Sequence, residues 1–179
     1  MTETTDSRFF PTHTLESAPS ASRKRLQAAQ AQFGFVPLPL ARHASAPSVL
    51  EGFALLHEQF EATSLSPLAR EVVALTMARR LDCKLCRALH SQLARARGAM
   101  PELVETLLRG EAIPSRELAG VARLTERALD AHGAVGDSDL KEFFDHGYTA
   151  QQALEVVVGI ATYTLSILAN RMTQSEMMR

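Results

Sequence analysis

Apolar positions along most of the chain recur every three or four residues, which is the spacing of one face of an α-helix. Runs that alternate polar and β-branched residues, as strands do, are almost absent. Prolines stand where helices begin and glycines stand just after they end, which is the usual helical punctuation. The sequence therefore predicts an all-α protein. The predicted helices cover 20–33, 38–44, 47–62, 67–80, 83–97, 101–108, 114–132, 137–146 and a last helix from 149 onward.

Two segments at the ends of the chain depart from this pattern. Residues 1–17 lack a helical period and predict a loosely ordered N-terminal arm, followed by a single helical domain at 18–179. Residues 153–168 are apolar nearly all round the last helix. Because a helix that is apolar on every face is usually buried on several sides, we expect a central core helix. The alternative is that part of this helix lies at a subunit interface.

Composition limits the class of protein but names no activity. The chain has 179 residues, of which 46% are apolar and 22% charged, which suits one domain with a substantial core. The net charge is −1 and the arginines are spread along the chain, so we expect no nucleic-acid partner. There is neither a signal peptide pattern nor a run of 18 apolar residues, which predicts a cytoplasmic protein without a membrane partner. A glycine-rich phosphate loop is also absent, and we expect no cofactor.

The only two cysteines, Cys83 and Cys86, form a Cys-x-x-Cys pair, and His90 follows four residues after the second. On a helix these three side chains fall within an arc of about 60°. Asp82 is the predicted N-cap, which would place both thiols in the first turn, where the helix favours negative charge. A neighbouring imidazole adds to this effect. Because the thiolate is the reactive form of cysteine, the segment predicts a redox dithiol.

Other Cys-x-x-Cys chemistries compete with the redox interpretation. Zinc usually needs four ligands, and the sequence shows neither a second Cys-x-x-Cys nor a suitably spaced histidine pair. Covalent haem attachment requires histidine directly after the second cysteine, where this chain has Arg87. Two inert core cysteines are a further alternative, because free cysteine packs as a small apolar residue. In a reducing compartment a lone pair is more often catalytic or metal-binding than a structural disulfide.

Glu71 places a carboxylate within an apolar helical stripe. Burying an unpaired carboxylate costs several kcal/mol, so the pattern predicts a hydrogen-bonding partner on another helix. His90 is the predicted partner, and His57 is a second histidine that could approach from the preceding helix. A half-exposed position at the edge of the helix is the alternative for Glu71. Its helical neighbours are Pro67, Leu68, Ala74, Leu75 and Ala78.

Glu71, Cys83, Cys86 and His90 together resemble the motif of the AhpD-like alkylhydroperoxidase family, within the carboxymuconolactone decarboxylase superfamily. The shared pattern is Glu, eleven residues, Cys-x-x-Cys, three residues and His, and the residues around the segment 66–97 are also similar. The resemblance implies an all-helical AhpD-like bundle of the peroxidase-related branch. It also implies a homo-oligomer, commonly a trimer or a multiple of one.

The resemblance further implies a thiol-dependent peroxidase that reduces hydrogen peroxide or an organic hydroperoxide. Cys86 corresponds to the peroxidatic cysteine, which becomes a sulfenic acid, and Cys83 to the proton donor that resolves it as a disulfide. His90 and Glu71 correspond to the proton relay, and the reductant would be a thiol or lipoyl-type molecule. Leu85 stands where the best-characterised members have a histidine. A redox-sensing or disulfide-exchange module is the alternative, and a decarboxylase is a weaker one, because that branch typically lacks the cysteine pair.

Overall fold

The computed structural model describes residues 9–175, which fold into nine α-helices and no strand. The prediction of an all-α protein is confirmed. The helices are α1 (Ser20–Phe33), α2 (Leu38–His43), α3 (Pro47–Glu61), α4 (Pro67–Arg80), α5 (Lys84–Ala96), α6 (Pro101–Arg109), α7 (Arg116–Asp130), α8 (Asp137–Asp145) and α9 (Ala150–Met172).

Local signals explain where these helices begin and end. Pro67 occupies the first turn of α4, where its missing N–H costs nothing, and the Ser66 hydroxyl caps that turn by accepting the Ala69 N–H at 3.2 Å. Gly34 ends α1 with a φ of 79°, a conformation that glycine adopts without strain. At α8 the N-cap is Gly136, whose backbone enters the helix without a side-chain cap.

Two compact units divide the chain, and each has its own interior. The described part of the first comprises residues 9–55 and 168–175, and the second comprises 56–167. Within the first unit, residues 9–17 lie outside any helix, and the His13 N–H donates to the Ala41 carbonyl at 3.1 Å. Residues 1–8 of the predicted arm lie outside the described residues.

A small apolar cluster and buried polar contacts hold the first unit together. The Ser22 hydroxyl donates to the Ala44 carbonyl at 2.7 Å, joining α1 to the end of α2. The buried Arg42 guanidinium donates to the carbonyls of Thr173 at 2.7 Å and Gln174 at 2.8 Å. This arginine therefore supplies donors to backbone carbonyls that follow the end of α9. The buried apolar residues of the cluster are Ala18, Leu26, Ala44 and Leu50.

His43 gives the first unit a predicted sensitivity to acid. Burial lowers its pKa by desolvating the charged ring, against the opposing effect of the Ala169 carbonyl. In the unfolded chain His43 protonates near its ordinary pKa of about 6.5. The unfolded state then binds more protons than the folded state, so this stability is fully present above about pH 6.5 and is lost as the pH falls towards the folded pKa.

We expect His43→Phe to reduce the loss of unfolding free energy between about pH 8 and pH 5, because the aromatic ring stays buried without a titrating group. Guanidinium unfolding at the two pH values measures the difference. His132→Asn is the matched control, since His132 is exposed and its φ of 53° suits asparagine. An acid-induced loss that is the same in His43→Phe as in the unmodified chain would contradict this explanation.

The central helix of the second unit is α4. Ten consecutive residues, 69–78, are buried, and α4 packs against α5, α6 and α7. The apolar pattern predicted that α9, and not α4, would be buried on all sides, and that prediction is wrong. Alanines at 69, 74 and 78 allow neighbouring helices to approach α4 closely, while arginines at its ends extend to polar partners.

Within the second unit α9 is buried on one side only. At Gly159 the helix lies close to its neighbours, since a Cβ there would lie 2.6 Å from the Phe60 ring and 2.8 Å from Val73. The other side leaves Leu154 and Val157 70% and 52% exposed. By length and a mean hydropathy of 1.5, α9 would also pass as a membrane span, a test that core helices of globular proteins pass too. Within residues 9–175, part of the apolar surface of α9 is therefore left uncovered.

Candidate active site

The connection between α4 and α5 sets the position of both cysteines. Asp82 adopts a φ of 51° and turns the chain, and the Cys83 N–H then donates to the Ala78 carbonyl at 2.9 Å. Cys83 is the N-cap of α5, and its sulfur accepts the Cys86 N–H at 3.2 Å. The prediction that Asp82 caps this helix is wrong. Asp82 adopts a left-handed conformation just after the end of α4, and the residue that follows it, Cys83, is the N-cap of α5.

Cys83 and Cys86 are joined as a disulfide, with their Cα atoms 5.3 Å apart. Both lie in the interior of the second unit, where Cys83 has no exposed surface and Cys86 is 5% exposed. Cys83 therefore precedes the first turn of α5, while Cys86 lies within it. Cys86 is therefore the more accessible of the two cysteines, and this difference bears on which sulfur reacts first.

Glu71 and His90 meet across the interface of α4 and α5. The distance between Glu71 Oε2 and His90 Nδ1 is 2.8 Å, and the two residues are 2% and 6% exposed. The sequence-based pairing of these residues is therefore present in the structure, and Glu71 is buried rather than at the helix edge. An ionised carboxylate only accepts hydrogen bonds, so the proton of a neutral His90 lies on Nδ1 and Nε2 keeps its lone pair.

His90 shares a face of α5 with Cys86, because the two are one helical turn apart. Side chains on a helix tilt towards its N-terminus, so the His90 ring lies over the turn that carries Cys86. Cys83 and Cys86 belong to the apolar core of the second unit, and the buried Glu71–His90 pair lies in the same unit. Such groups are suited to moving a proton from a thiol to an imidazole whose orientation the carboxylate fixes.

Arg97, which sequence reasoning missed, completes the contacts of the Glu71 carboxylate. Its Nη1 lies 3.0 Å from Glu71 Oε1, and its Nη2 donates to Glu61 Oε2 at 3.0 Å. Arg70 approaches the same Glu61 oxygen at 3.4 Å. The signal that could have identified Arg97 is its spacing of seven residues from His90, which places both on one face of α5.

Tyr163 of α9 covers the imidazole and was also missed. Its ring meets that of His90 edge to face, with centroids 4.9 Å apart at 88°, and it packs similarly on Phe60. Burial, and then the charges of Glu71 and Glu61, raise the pKa of Tyr163 well above its usual range. The ring is therefore a neutral phenol that shields His90 from water.

His57 lies at the outer side of this cluster, on the part of α3 that belongs to the second unit. Burial lowers the pKa of His57 most, the Glu61 carboxylate opposes this, and the charges of His90 and Arg97 add to the lowering. His57 is therefore neutral near pH 7 and half-buried. That His57 approaches the site from the preceding helix stays a prediction.

A separate cavity of about 450 Å³ lies against α4 and α7 and does not include the dithiol. Its wall carries charges of both signs, including Arg79, Arg123, Glu126 and Asp130. Within residues 9–175 no group of three or more His, Cys, Asp or Glu side chains is arranged to hold a metal ion.

Comparison with known proteins places the cysteines and the Glu71–His90 pair in a recognised sequence segment. Residues 47–134 match the model of the carboxymuconolactone decarboxylase family. The match includes all of α4 and α5, and so it contains both cysteines, His90 and Glu71. No curated protein matches the chain.

Solved structures share the fold at low sequence identity. A peroxidase-related protein from Ralstonia eutropha JMP134 with an AhpD core is 22% identical, with a TM-score of 0.75 over 91% of this chain and 88% of its own. A peroxidase-related protein from Silicibacter sp. TM1040 is 19% identical, with a TM-score of 0.73 over 99% and 95%. The debrominase Bmp8 is 13% identical, with a TM-score of 0.71 over 89% and 87%. Such identities show a common AhpD-like fold, while the named activities differ.

Proposed function

Because residues 47–134 match the carboxymuconolactone decarboxylase family and the second unit holds a buried dithiol and a histidine–glutamate pair, we propose that the protein is a thiol-dependent peroxidase. Its substrate is hydrogen peroxide or an organic hydroperoxide. The contact between Glu71 Oε2 and His90 Nδ1 carries this proposal, since it orients an imidazole as a base one helical turn from Cys86.

The first step oxidises Cys86. His90 Nε2 takes the thiol proton, and the thiolate attacks one oxygen of the hydroperoxide, breaking the O–O bond. The products are a Cys86 sulfenic acid and, after the leaving oxygen takes a proton, an alcohol or water. The greater exposure of Cys86 than Cys83 supports this order, because the first sulfur to react must be reached by the peroxide.

The second step forms the disulfide. The Cys83 sulfur attacks the Cys86 sulfenic sulfur, the S–O bond breaks, and the hydroxyl leaves as water with the Cys83 proton. The spacing of the two Cα atoms, 5.3 Å, lies within the ordinary range for a disulfide. A dithiol reductant of thiol or lipoyl type then returns two electrons and two protons to the cysteines.

Peroxide consumption by the reduced protein, with dithiothreitol as the electron donor, tests the proposal. Cumene hydroperoxide and hydrogen peroxide are the two probes. The expected result is catalytic turnover that the double variant Cys83→Ser/Cys86→Ser lacks. Turnover by the unmodified protein that does not exceed that of the double variant overturns the proposal.

A redox-sensing or disulfide-exchange module is the competing function. Exchange with a protein disulfide requires a sulfur that another protein can reach, and both cysteines are almost fully buried. Burial of this kind suits a small hydroperoxide better than a macromolecular disulfide. Slow peroxide reduction together with rapid exchange with oxidised thioredoxin would favour the competing function.

We also propose that the protein acts as a homo-oligomer, a trimer or a multiple of one. On α9 the exposed side chains of Leu154, Val157 and Ala161 recur at i, i+3 and i+7 and so form one apolar face. A second copy of the chain is the proposed cover for this face. The proposed compartment is the cytoplasm, whose reducing thiol pool supplies the reductant.

We expect Leu154→Glu to dissociate the assembly, because the charge would be buried unpaired when copies associate. Light scattering should then give a mass near the 19.6 kDa of one chain, against about three times that for the unmodified protein. Met100→Glu is the matched control, since Met100 is an equally exposed apolar residue away from α9. A monomeric unmodified protein would contradict this prediction.

A further inference from the structure

Arg97 holds a central place in a chain of alternating charges that ends at the imidazole. The distance is 3.4 Å from Arg70 to Glu61, 3.0 Å from Glu61 to Arg97, 3.0 Å from Arg97 to Glu71, and 2.8 Å from Glu71 to His90. The four permanent charges in this series cancel in pairs, since two belong to arginines and two to glutamates. The charge on His90 is therefore the one that changes when a proton moves from the thiol.

The planar guanidinium of Arg97 binds two carboxylates at once, one through each terminal nitrogen. One nitrogen contacts Glu71 and also donates to the Pro67 carbonyl at 3.1 Å, while the other donates to Glu61. The backbone of Arg97 is the C-cap of α5, where a positive charge is favoured by the helix dipole. A single ammonium group would reproduce the charge of this residue but not its two-sided geometry.

We propose that Arg97 is the positioning residue that holds the Glu71 carboxylate through Oε1, so that Oε2 accepts the His90 Nδ1 proton and Nε2 can accept the Cys86 proton. This inference rests on the proposed role of His90 as the base for the thiol. Without Arg97 the buried carboxylate loses its permanent positive partner. The Glu71 side chain could then turn away from Nδ1, the His90 proton would no longer be fixed there, and Nε2 would no longer be held as the base.

Several other titratable groups face this cluster. His57 and Glu61 face it from α3, Arg70 from α4 and Tyr163 from α9. His57 and Tyr163 are neutral near pH 7, so they contribute no permanent charge. Glu61 is the nearest outer carboxylate, and it offsets part of the charge of Arg97. Arg97 and Glu61 therefore act with opposite signs on the thiolate.

Alkylation of Cys86 by iodoacetamide across about pH 5 to 9.5 tests the proposal. The background is Cys83→Ser, in which Cys86 is the single thiol. Arg97→Met should move the half-maximal pH upward by about one unit, which lowers the rate about ten-fold at a fixed lower pH. Glu61→Gln should move it downward, and Arg97→Lys should fall between Arg97→Met and the parent. Arg109→Met, which removes an exposed arginine on α6, should leave the profile unchanged.

Opposite shifts in Arg97→Met and Glu61→Gln support an electrostatic role, because loosened packing would move both profiles in the same direction. Unchanged profiles in folded Arg97→Met and Arg97→Lys would overturn the inference, as would shifts of the same sign in Arg97→Met and Glu61→Gln. Should Arg97→Met not fold, Arg97→Lys and Glu61→Gln decide the question. Alkylation needs no peroxide, so failed peroxide turnover in the unmodified protein refutes the proposed activity and leaves this test intact.

Discussion

Cys86→Ser is expected to abolish peroxide reduction, lowering kcat/KM by about 1,000-fold or more. A serine hydroxyl cannot take the place of the sulfur that a hydroperoxide oxidises to a sulfenic acid. The substitution removes one buried sulfur and keeps the backbone N–H that bonds to Cys83, so the fold should survive. Steady-state peroxide consumption with dithiothreitol measures the effect, and circular dichroism verifies folding.

Cys83→Ser is the matched control for this prediction. Serine is a good N-cap, so it can accept the Cys86 N–H in place of the Cys83 sulfur. Without dithiothreitol, this variant should consume one equivalent of peroxide and then stop with a sulfenic acid on Cys86, which dimedone traps for mass spectrometry. A dimedone adduct on Cys83 in Cys86→Ser, with none on Cys86 in Cys83→Ser, would reverse the assigned roles.

Glu71→Gln is expected to affect both stability and activity. The carboxylate is 2% exposed and contacts two donors, Arg97 and His90. A glutamine oxygen can satisfy one of them, while its NH₂ group then faces the other. Breaking a buried ion pair on one side typically costs about 3–5 kcal/mol, and loss of an oriented base costs about 100-fold or more in rate. Guanidinium unfolding and peroxide turnover measure the two losses.

Glu58→Gln is the control for this substitution, because Glu58 is an exposed glutamate in the same unit. Its free energy of unfolding should change by less than about 0.5 kcal/mol, and its turnover should be unaffected. Unfolding and turnover in Glu71→Gln that match those of Glu58→Gln would show that the buried carboxylate neither stabilises the cluster nor orients His90.

Helix positions could be predicted well from the sequence because their signals are local. Pro67 and Ser66 begin α4, and Gly34 ends α1, through backbone preferences that do not depend on distant contacts. Asp82 shows where such signals fail. Asp82 has a left-handed backbone conformation, and Cys83 is the N-cap of α5 in its place. This geometry depends on how α4 and α5 are connected.

The pairing of Glu71 with His90 could be predicted because a buried carboxylate needs a partner and the helical spacing offered few. Arg97 could not be ranked above other arginines in the same way, since its contact with Glu71 depends on how α5 packs against α4. Tyr163 lies 73 residues after His90 in the sequence. Because its neighbours in α9 are apolar, nothing in the sequence indicated that it contacts His90. Contacts between distant segments follow from packing, which a single sequence does not display.

The burial of α9 shows a different limit of sequence reasoning. Its apolar residues on every side predicted a central core helix, but Leu154 and Val157 are exposed within the chain. Apolar surface indicates that something covers it without showing whether the cover is the same chain or another copy. The helix that the chain does bury on every side is α4, although it carries Arg70 and Glu71.

The stoichiometry of a single oxidation tests the central claim most directly. One equivalent of cumene hydroperoxide is added to the reduced protein, and free thiols, remaining peroxide and disulfide-linked peptides are measured together. The proposed mechanism predicts rapid loss of both thiols, consumption of one peroxide per chain and a disulfide between Cys83 and Cys86. Thiols that stay reduced for many minutes while the peroxide persists would contradict it.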